Sequence, residues 1–240
     1  MTVEAKASGE PIVAPRAVAC SRLAAIEFIA TGFLLMAVVG SGIMAERLAD
    51  GNAALALLAN TIATGAALLA LILAFEPTSG AHMNPMVTLA AVVLDGFDRR
   101  LAAAYIAAQV AGAIAGVWLA HLMFGMPMLE LGTKVRTGGG EWLGEAVATF
   151  GLLATIWGCR TRPAPVTAFA VAAFITGAYW FTSSTSFANP AVTLARALTD
   201  SFAGIRPQDA PEFILAELAG LVIAIPVICM MKRADRATRS

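Results

Sequence analysis

Two asparagines carry the strongest chemical signal in this sequence of 240 residues. Asn84 and Asn189 each begin the same run, N-P-x-V-T-L-A. An asparagine side chain caps the first turn of a helix and proline fits the first helical position, so each run predicts a helix start. A helix start carries about +0.5 of an elementary charge. Two such starts brought together would repel cations and offer amide N–H donors to a polar solute.

The helix that follows each asparagine is too short to cross a membrane. We expect about 11 residues in each, or about 16 Å, which is half of a bilayer. The polar segment before each asparagine must then lie at membrane depth. Irregular backbone is permitted there only where it is buried in protein or lines a water-filled cavity. The two runs therefore predict a pair of half-membrane helices.

The composition of the chain is that of a membrane protein. It is 59% hydrophobic and 13% charged, with a mean hydropathy of +0.77, against roughly 45–50% apolar residues in a soluble domain. Six apolar runs approach the ~17–25 residues that a spanning helix needs. They cover residues 22–45, 53–75, 101–124, 142–159, 164–182 and 212–231. The predicted fold class is an all-α membrane protein with six transmembrane helices and two half-helices.

Further motifs recur between the two halves. E-x-x-x-T begins at Glu27 and again at Glu145, and Q-x-x-G at Gln109 matches E-x-x-G at Glu217. Because each half holds three spans, the second copy must enter the membrane upside down relative to the first. This is an inverted repeat, which places its site at the midplane where the halves meet.

The basic residues predict the topology. Five of the 16 lysines and arginines lie in one set of alternate loops, and the other eleven lie in the opposite set and in both tails. Cytoplasmic segments carry the excess, so we expect both termini in the cytoplasm and a multi-pass protein in the plasma or inner membrane. The five are Arg47, Lys134, Arg136, Arg196 and Arg206.

The domain boundaries follow from the same patterns. Residues 1–20 carry charges and prolines before any long apolar run, which predicts a disordered tail rather than a signal peptide. One domain is expected over residues 21–232, with halves at about 21–124 and 141–232, before a second tail at 233–240. The zero net charge indicates no nucleic-acid partner. The three cysteines share no metal-ligand spacing, and we expect no metal, no cofactor and no enzymatic activity.

These motifs together resemble the major intrinsic proteins, the aquaporins and aquaglyceroporins, from about residue 21 to 232. The resemblance rests on S-G-A-H-x-N-P, the second N-P-A, the paired E-x-x-x-T and Q-x-x-G. It implies a homotetramer in the lipid bilayer, with one pore per subunit for small neutral solutes. It also implies that Glu27 and Glu145 brace the two loops and that His82 is the loop histidine. The pore motifs are Asn84, Pro85, Met86, Asn189, Pro190 and Ala191.

Three of these residues have a second interpretation. Glu145 lies only a turn inside its span, so its carboxylate could instead extend to water. His82 is either a hydrogen-bonded structural residue or a proton switch. Met86 replaces the usual alanine and could narrow the pore near the midplane.

By the same resemblance, spacing from the asparagines locates the four residues of the selectivity filter. They are Thr64, Gly177, Ser186 and Val192. Family members carry an arginine at the last position, which supplies a cation and a fork of donors, and the valine lacks both. We expect a wide, uncharged filter. Arg196, one turn further on, either leans back into the gap or extends to the headgroups.

An arginine-free filter of small residues resembles that of the bacterial AqpS-like aquaglyceroporins, a subgroup associated with arsenic detoxification. It implies passive passage of arsenite as As(OH)3, methylated arsenicals, glycerol-like polyols and water. A general water and glycerol facilitator without a metalloid role is the first alternative. A secondary transporter, which inverted repeats also build, and a junctional protein with a closed pore are the others.

Overall fold

The computed structural model describes residues 16–237, and side chains over 20–234. This part of the chain is all helical, with eight α-helices, one 3₁₀ turn at Pro207–Asp209 and no strand. The helices are α1 (Arg16–Leu48), α2 (Ala53–Ser79), α3 (Pro85–Asp95), α4 (Arg99–Phe124), α5 (Gly139–Cys159), α6 (Ala164–Phe181), α7 (Pro190–Arg196) and α8 (Ala210–Ala237). Six of them, all except α3 and α7, are long and apolar enough to cross a membrane. The predicted fold class is confirmed.

The two short helices begin as the asparagines predict. Asn84 caps α3, its Oδ1 accepting from Met86 N at 2.8 Å, and α3 runs for the expected 11 residues. Asn189 caps α7 through Ala191 N at 3.0 Å. Helix α7 has only 7 residues, fewer than predicted, because the chain folds back at Arg196, whose carbonyl oxygen accepts from a later loop residue.

The inverted repeat is visible in how the long helices pack. Helix α1 packs on α4 as α5 packs on α8. A Cβ atom on Gly112 would lie 2.2 Å from Phe28 O, and one on Gly220 would lie 2.4 Å from Ala146 O. Only glycine permits such close approach of two helix backbones, a packing mode common between membrane helices. Phe28 and Ala146 directly follow Glu27 and Glu145, so the two crossings are equivalent.

The helix ends depart from the predicted spans. Helix α1 begins at Arg16, so residues 16–20 of the predicted disordered tail are helical, and residues 1–15 lie outside the described part. Helix α2 continues through Pro77 to Ser79, past the predicted end at residue 75. We call the end of the bundle that holds the α5–α6 loop and the end of α8 the tail face. Lys232 of α8 bonds there to Asp95 at the end of α3, at 2.9 Å.

Candidate solute pore

The two half-helices meet through reciprocal hydrogen bonds. Asn84 Nδ2 donates to Ala188 O at 2.7 Å, and Asn189 Nδ2 donates to Met83 O at 2.8 Å. Each asparagine thus holds the loop that positions the other. Both asparagines also line the main cavity. Since an amide group carries two N–H donors, one on each asparagine remains for a solute.

The loops before the asparagines have matching backbone conformations. The residues three and one positions before each asparagine have positive φ angles, which non-glycine residues seldom adopt. They are Ala81 (47°), Met83 (48°), Ser186 (53°) and Ala188 (48°). Such conformations cost on the order of 1–3 kcal/mol each and persist where surrounding contacts hold them. Two buried carboxylates supply those contacts.

Glu27 holds the first loop. Its side chain is fully buried. Oε1 accepts from Ser79 Oγ at 2.7 Å and from His82 N at 3.0 Å. Oε2 accepts from Met83 N at 2.7 Å and from Gln109 Nε2 at 2.8 Å. Four donors therefore satisfy this carboxylate in a region where an unpaired one would be costly.

His82 lies where the first loop meets the cavity. Its Nδ1 is 3.1 Å from Thr88 Oγ1, and its ring packs against Phe97 and Tyr105, with centroid distances of 5.1 and 5.4 Å. The ring therefore has a fixed orientation. These contacts are those expected for His82 as a hydrogen-bonded structural residue.

Glu145 and Glu217 hold the second loop. Glu145 is fully buried and does not reach water; it accepts from the backbone N–H groups of Phe187 at 2.9 Å and Ala188 at 2.7 Å. Glu217 Oε1 accepts from Asn189 N at 3.0 Å. Glu217 is not among the site residues predicted from the sequence. Its alignment with Gln109 in the repeat was the signal that could have found it.

One cavity runs from the tail face, past both asparagines, to the opposite end of the bundle. Its walls come from α1, α2, α5 and α6, both half-helices and both loops. Three of the four predicted filter residues line it, namely Thr64, Ser186 and Val192. Met86 does not: its side chain packs in the hydrophobic core, and Met83 lines the cavity instead. The expected effect of Met86 on pore width is therefore absent from this geometry.

Gly177, the fourth predicted filter residue, is not among the residues that line this cavity. Gly177 lies on the exposed face of α6, where a Cβ would meet only Phe181, at 3.7 Å. The cavity wall comes from Val171, Ile175 and Tyr179, spaced one helical turn apart. Two residues rotate a helix by about 200°, so Gly177 points away from Tyr179. Spacing counted from the asparagine did not capture this rotation.

Tyr179 therefore supplies an aromatic side chain to the filter region. It is 4% exposed, and its hydroxyl donates to Thr64 Oγ1 at 3.4 Å. Ser186 Oγ nearby is buried without a hydrogen-bond partner in the described protein. Three hydroxyl groups thus line this part of the cavity.

Arg196, one helical turn beyond Val192, also lines the cavity. The side chain is 2% exposed and does not extend to the headgroups. Its Nε donates to Ala203 O, and its guanidinium lies 3.4 Å from the centroid of the Phe187 ring. Side chains of a helix lean toward its start, which brings Arg196 back toward the level of Val192.

A second arginine lies near the same Phe187 ring. Arg136, from the loop before α5, lies 5.0 Å from the centroid of the Phe187 ring. Its Nε donates to Gly204 O at 3.0 Å and its terminal nitrogen to Ser184 O at 3.1 Å. From the sequence, Arg136 was informative only about topology. Its partners are backbone oxygens in distant loops, and no spacing rule predicts those.

Three basic side chains, Lys134, Arg136 and Arg196, act on one another at this end of the bundle. Burial of the Lys134 ammonium group is the largest effect, and together with the charges of Arg136 and Arg196 it lowers the pKa of Lys134 to about 8.

Six spanning helices with two half-helices that meet at their starts define a membrane channel of the inverted-repeat type. Comparison with known proteins agrees. The family described as major intrinsic protein matches residues 15–181, and the chain belongs to this family.

Among curated proteins, the chain is 53% identical over 208 residues to "Aquaglyceroporin AqpS" of Rhizobium meliloti (strain 1021), covering 87% of this chain and 89% of the relative. It is 40% identical to "Aquaporin NIP1-4" of Oryza sativa subsp. japonica over 99 residues, 41% of this chain and 35% of that protein. Among solved structures, the X-ray structure of the aquaglyceroporin from Plasmodium falciparum matches with a TM-score of 0.68 at 19% identity, covering 88% of this chain and 94% of that one. That structural likeness supports the fold.

Proposed function

We propose that the protein is a passive channel for small uncharged polyhydroxyl solutes and water. The observation that carries the proposal is the lining of one cavity by Thr64, Tyr179, Ser186 and Arg196. Their hydroxyl and guanidinium groups can exchange hydrogen bonds with a neutral solute that bears several hydroxyls. Glycerol fits this description, and so does arsenite as As(OH)3.

The high identity to an aquaglyceroporin over most of both chains supports glycerol-like solutes. Arsenite extends the same chemistry, since it is also a small neutral triol. Methylated arsenicals replace hydroxyls by methyl groups, and apolar wall residues such as Val192 and Ile175 suit those methyl groups. We propose that these solutes pass as well, more slowly than glycerol.

A general water and glycerol facilitator without a metalloid role is the second candidate. It is favoured by the aromatic Tyr179 and the cation Arg196, which restore the two features that the predicted filter lacked. Both candidates share the same pore, and only the solute range separates them.

We further propose a homotetramer in the plasma or inner membrane, with both termini in the cytoplasm and residues 21–232 as its channel domain. The excess of basic residues on the tail side supports the orientation, and membership of the family supports the assembly. Cysteine crosslinking of single-cysteine variants and accessibility labelling of a terminal tag would test assembly and orientation.

The solute range is tested with purified protein in liposomes, measured by stopped-flow light scattering. We expect water, glycerol and arsenite to cross much faster than through lipid alone, with flux that rises linearly with concentration. Exclusion of every solute larger than water would overturn the proposed function. Glycerol flux without arsenite flux would select the second candidate, and saturable, ion-dependent uptake would indicate a transporter.

A further inference from the structure

Glu145 on α5 and Glu217 on α8 place two carboxyl groups together inside the bundle. Both side chains are 0% exposed, and both accept hydrogen bonds from the backbone of the same short segment, residues 187–189. Two ionised carboxylates repel strongly in such a site. A single proton between them replaces the repulsion by a hydrogen bond. The pair must therefore hold a proton.

The donors around the pair indicate which carboxyl group carries this proton. Both oxygens of Glu145 already accept from backbone N–H groups of the two residues before Asn189. Glu217 Oε1 accepts from Asn189 N and from Thr193 Oγ1, at 3.0 and 2.7 Å. Glu217 Oε2 is buried and has no hydrogen-bond donor among the described groups. That oxygen is the one free to bear a hydrogen.

The charged groups around the pair are unequally placed. Arg196 on α7 acts directly on Glu145, and Arg136, in the loop before α5, is attracted by Glu141 and by Glu145. Helix α3 also packs on α8, and its only charged residue, Asp95, is held in ion pairs at the tail face. The cations thus favour ionisation of Glu145 rather than of its partner.

The first half of the repeat contains the neutral counterpart of this arrangement. Gln109 occupies the position that Glu217 occupies in the second half, and its Nε2 donates to Glu27 Oε2 at 2.8 Å. A protonated carboxylic acid and an amide can each donate one hydrogen bond and accept another at this position. We infer that Glu217 is a protonated acid that donates to the Glu145 carboxylate and so positions the second pore loop, as Gln109 positions the first.

Infrared spectroscopy of the reconstituted channel tests the proton directly. Near neutral pH, the difference spectrum between wild type and Glu217→Gln should show loss of the C=O stretch of one protonated carboxyl group. The matched variant Gln109→Glu builds the mirror-image pair in the first half, and it should gain one such band. No band lost in Glu217→Gln would overturn the inference. This readout needs no permeating solute, so its failure is separate from failure of the proposed function.

The water permeability of variants at Glu217 and Glu145 shows which of the two carboxyl groups carries the proton. Glu217→Gln keeps both the donor and the acceptor, so its water permeability should stay within about twofold of wild type. Glu217→Ala leaves buried donors unpaired and should lower permeability at least about tenfold or lower the thermal midpoint. Glu145→Gln should also fail, because its amide would direct N–H toward backbone N–H. A functional Glu145→Gln with a folded but impermeable Glu217→Gln would place the proton on Glu145 and refute the assignment.

Discussion

The hydroxyl group of Tyr179 connects two helices of the pore wall, through its hydrogen bond to Thr64. The contact places an aromatic ring beside the cavity, and it holds the Thr64 hydroxyl in one orientation. The width of the pore at this level therefore depends on a residue outside the four predicted filter positions.

Truncating Tyr179 should widen the filter. In Tyr179→Ala the ratio of glycerol to water permeability should rise by roughly tenfold, which corresponds to a barrier lower by about 1.4 kcal/mol for the larger solute. Gly177→Ala is the matched control, because it adds one methyl group on the opposite face of α6 and should leave the ratio unchanged. Stopped-flow measurements of glycerol and water permeability in both variants show which of the two residues lines the filter. A response to Gly177→Ala and none to Tyr179→Ala would restore the filter predicted from spacing.

Arg196 should control ion tightness more than neutral flux. A cation 4 Å from its guanidinium meets a repulsion on the order of 4 kcal/mol at an effective dielectric constant of 20. In Arg196→Gln we expect cation conductance in planar bilayers to rise at least about tenfold, while water still passes. Arg206→Gln removes an exposed charge that is already paired with Asp209, and this control should not leak. Equal leakage in the two variants would mean that Arg196 acts only through overall surface charge.

Among the elements, the helices were predictable and their rotations were not. Apolar runs and capping asparagines identified all six spans and both half-helices, because the length of an apolar run and the cap of a helix depend only on residues that are close in the sequence. Helix α6 is apolar on nearly all sides, so hydrophobicity gave no means of choosing between Gly177 and Tyr179 as the inward residue. The early end of α7 depends on bonds to remote loops, such as the one from Gly132 N to Ala197 O.

The two glycine crossings make a prediction at the same scale. Gly220→Ala would place a methyl group 2.4 Å from Ala146 O, forcing α5 and α8 apart. Overpacking of this kind costs about 1–3 kcal/mol, so the thermal unfolding midpoint in detergent should fall. Gly112→Ala should behave alike at the α1–α4 crossing. Gly139→Ala, where the new methyl meets nothing within 4 Å, is the control and should unfold as wild type does.

For the whole molecule, the central feature is that each half is completed by the other. The carbonyl oxygen that accepts the hydrogen bond from Asn84 Nδ2 belongs to the second loop, and the one that accepts from Asn189 Nδ2 belongs to the first. The pair of half-helix starts is therefore one unit built from both repeats, with its partial positive charges meeting at one point of the cavity. A substitution of either asparagine should therefore perturb the structure of both halves.

Asn84→Asp and Asn189→Asp should consequently have the same effect. Each change removes a donor to the opposite loop, sets a carboxylate oxygen against a carbonyl oxygen, and puts negative charge where two helix starts converge. We expect both variants to conduct cations in planar bilayers, and both to unfold at a lower temperature than wild type. Asn52→Asp is the control, since Asn52 caps α2 away from the pore and an aspartate caps equally well. If one variant leaked cations while the other stayed both ion-tight and fully stable, the two asparagines would not form a single reciprocal unit, and the pore would depend on one repeat rather than on the junction of the two.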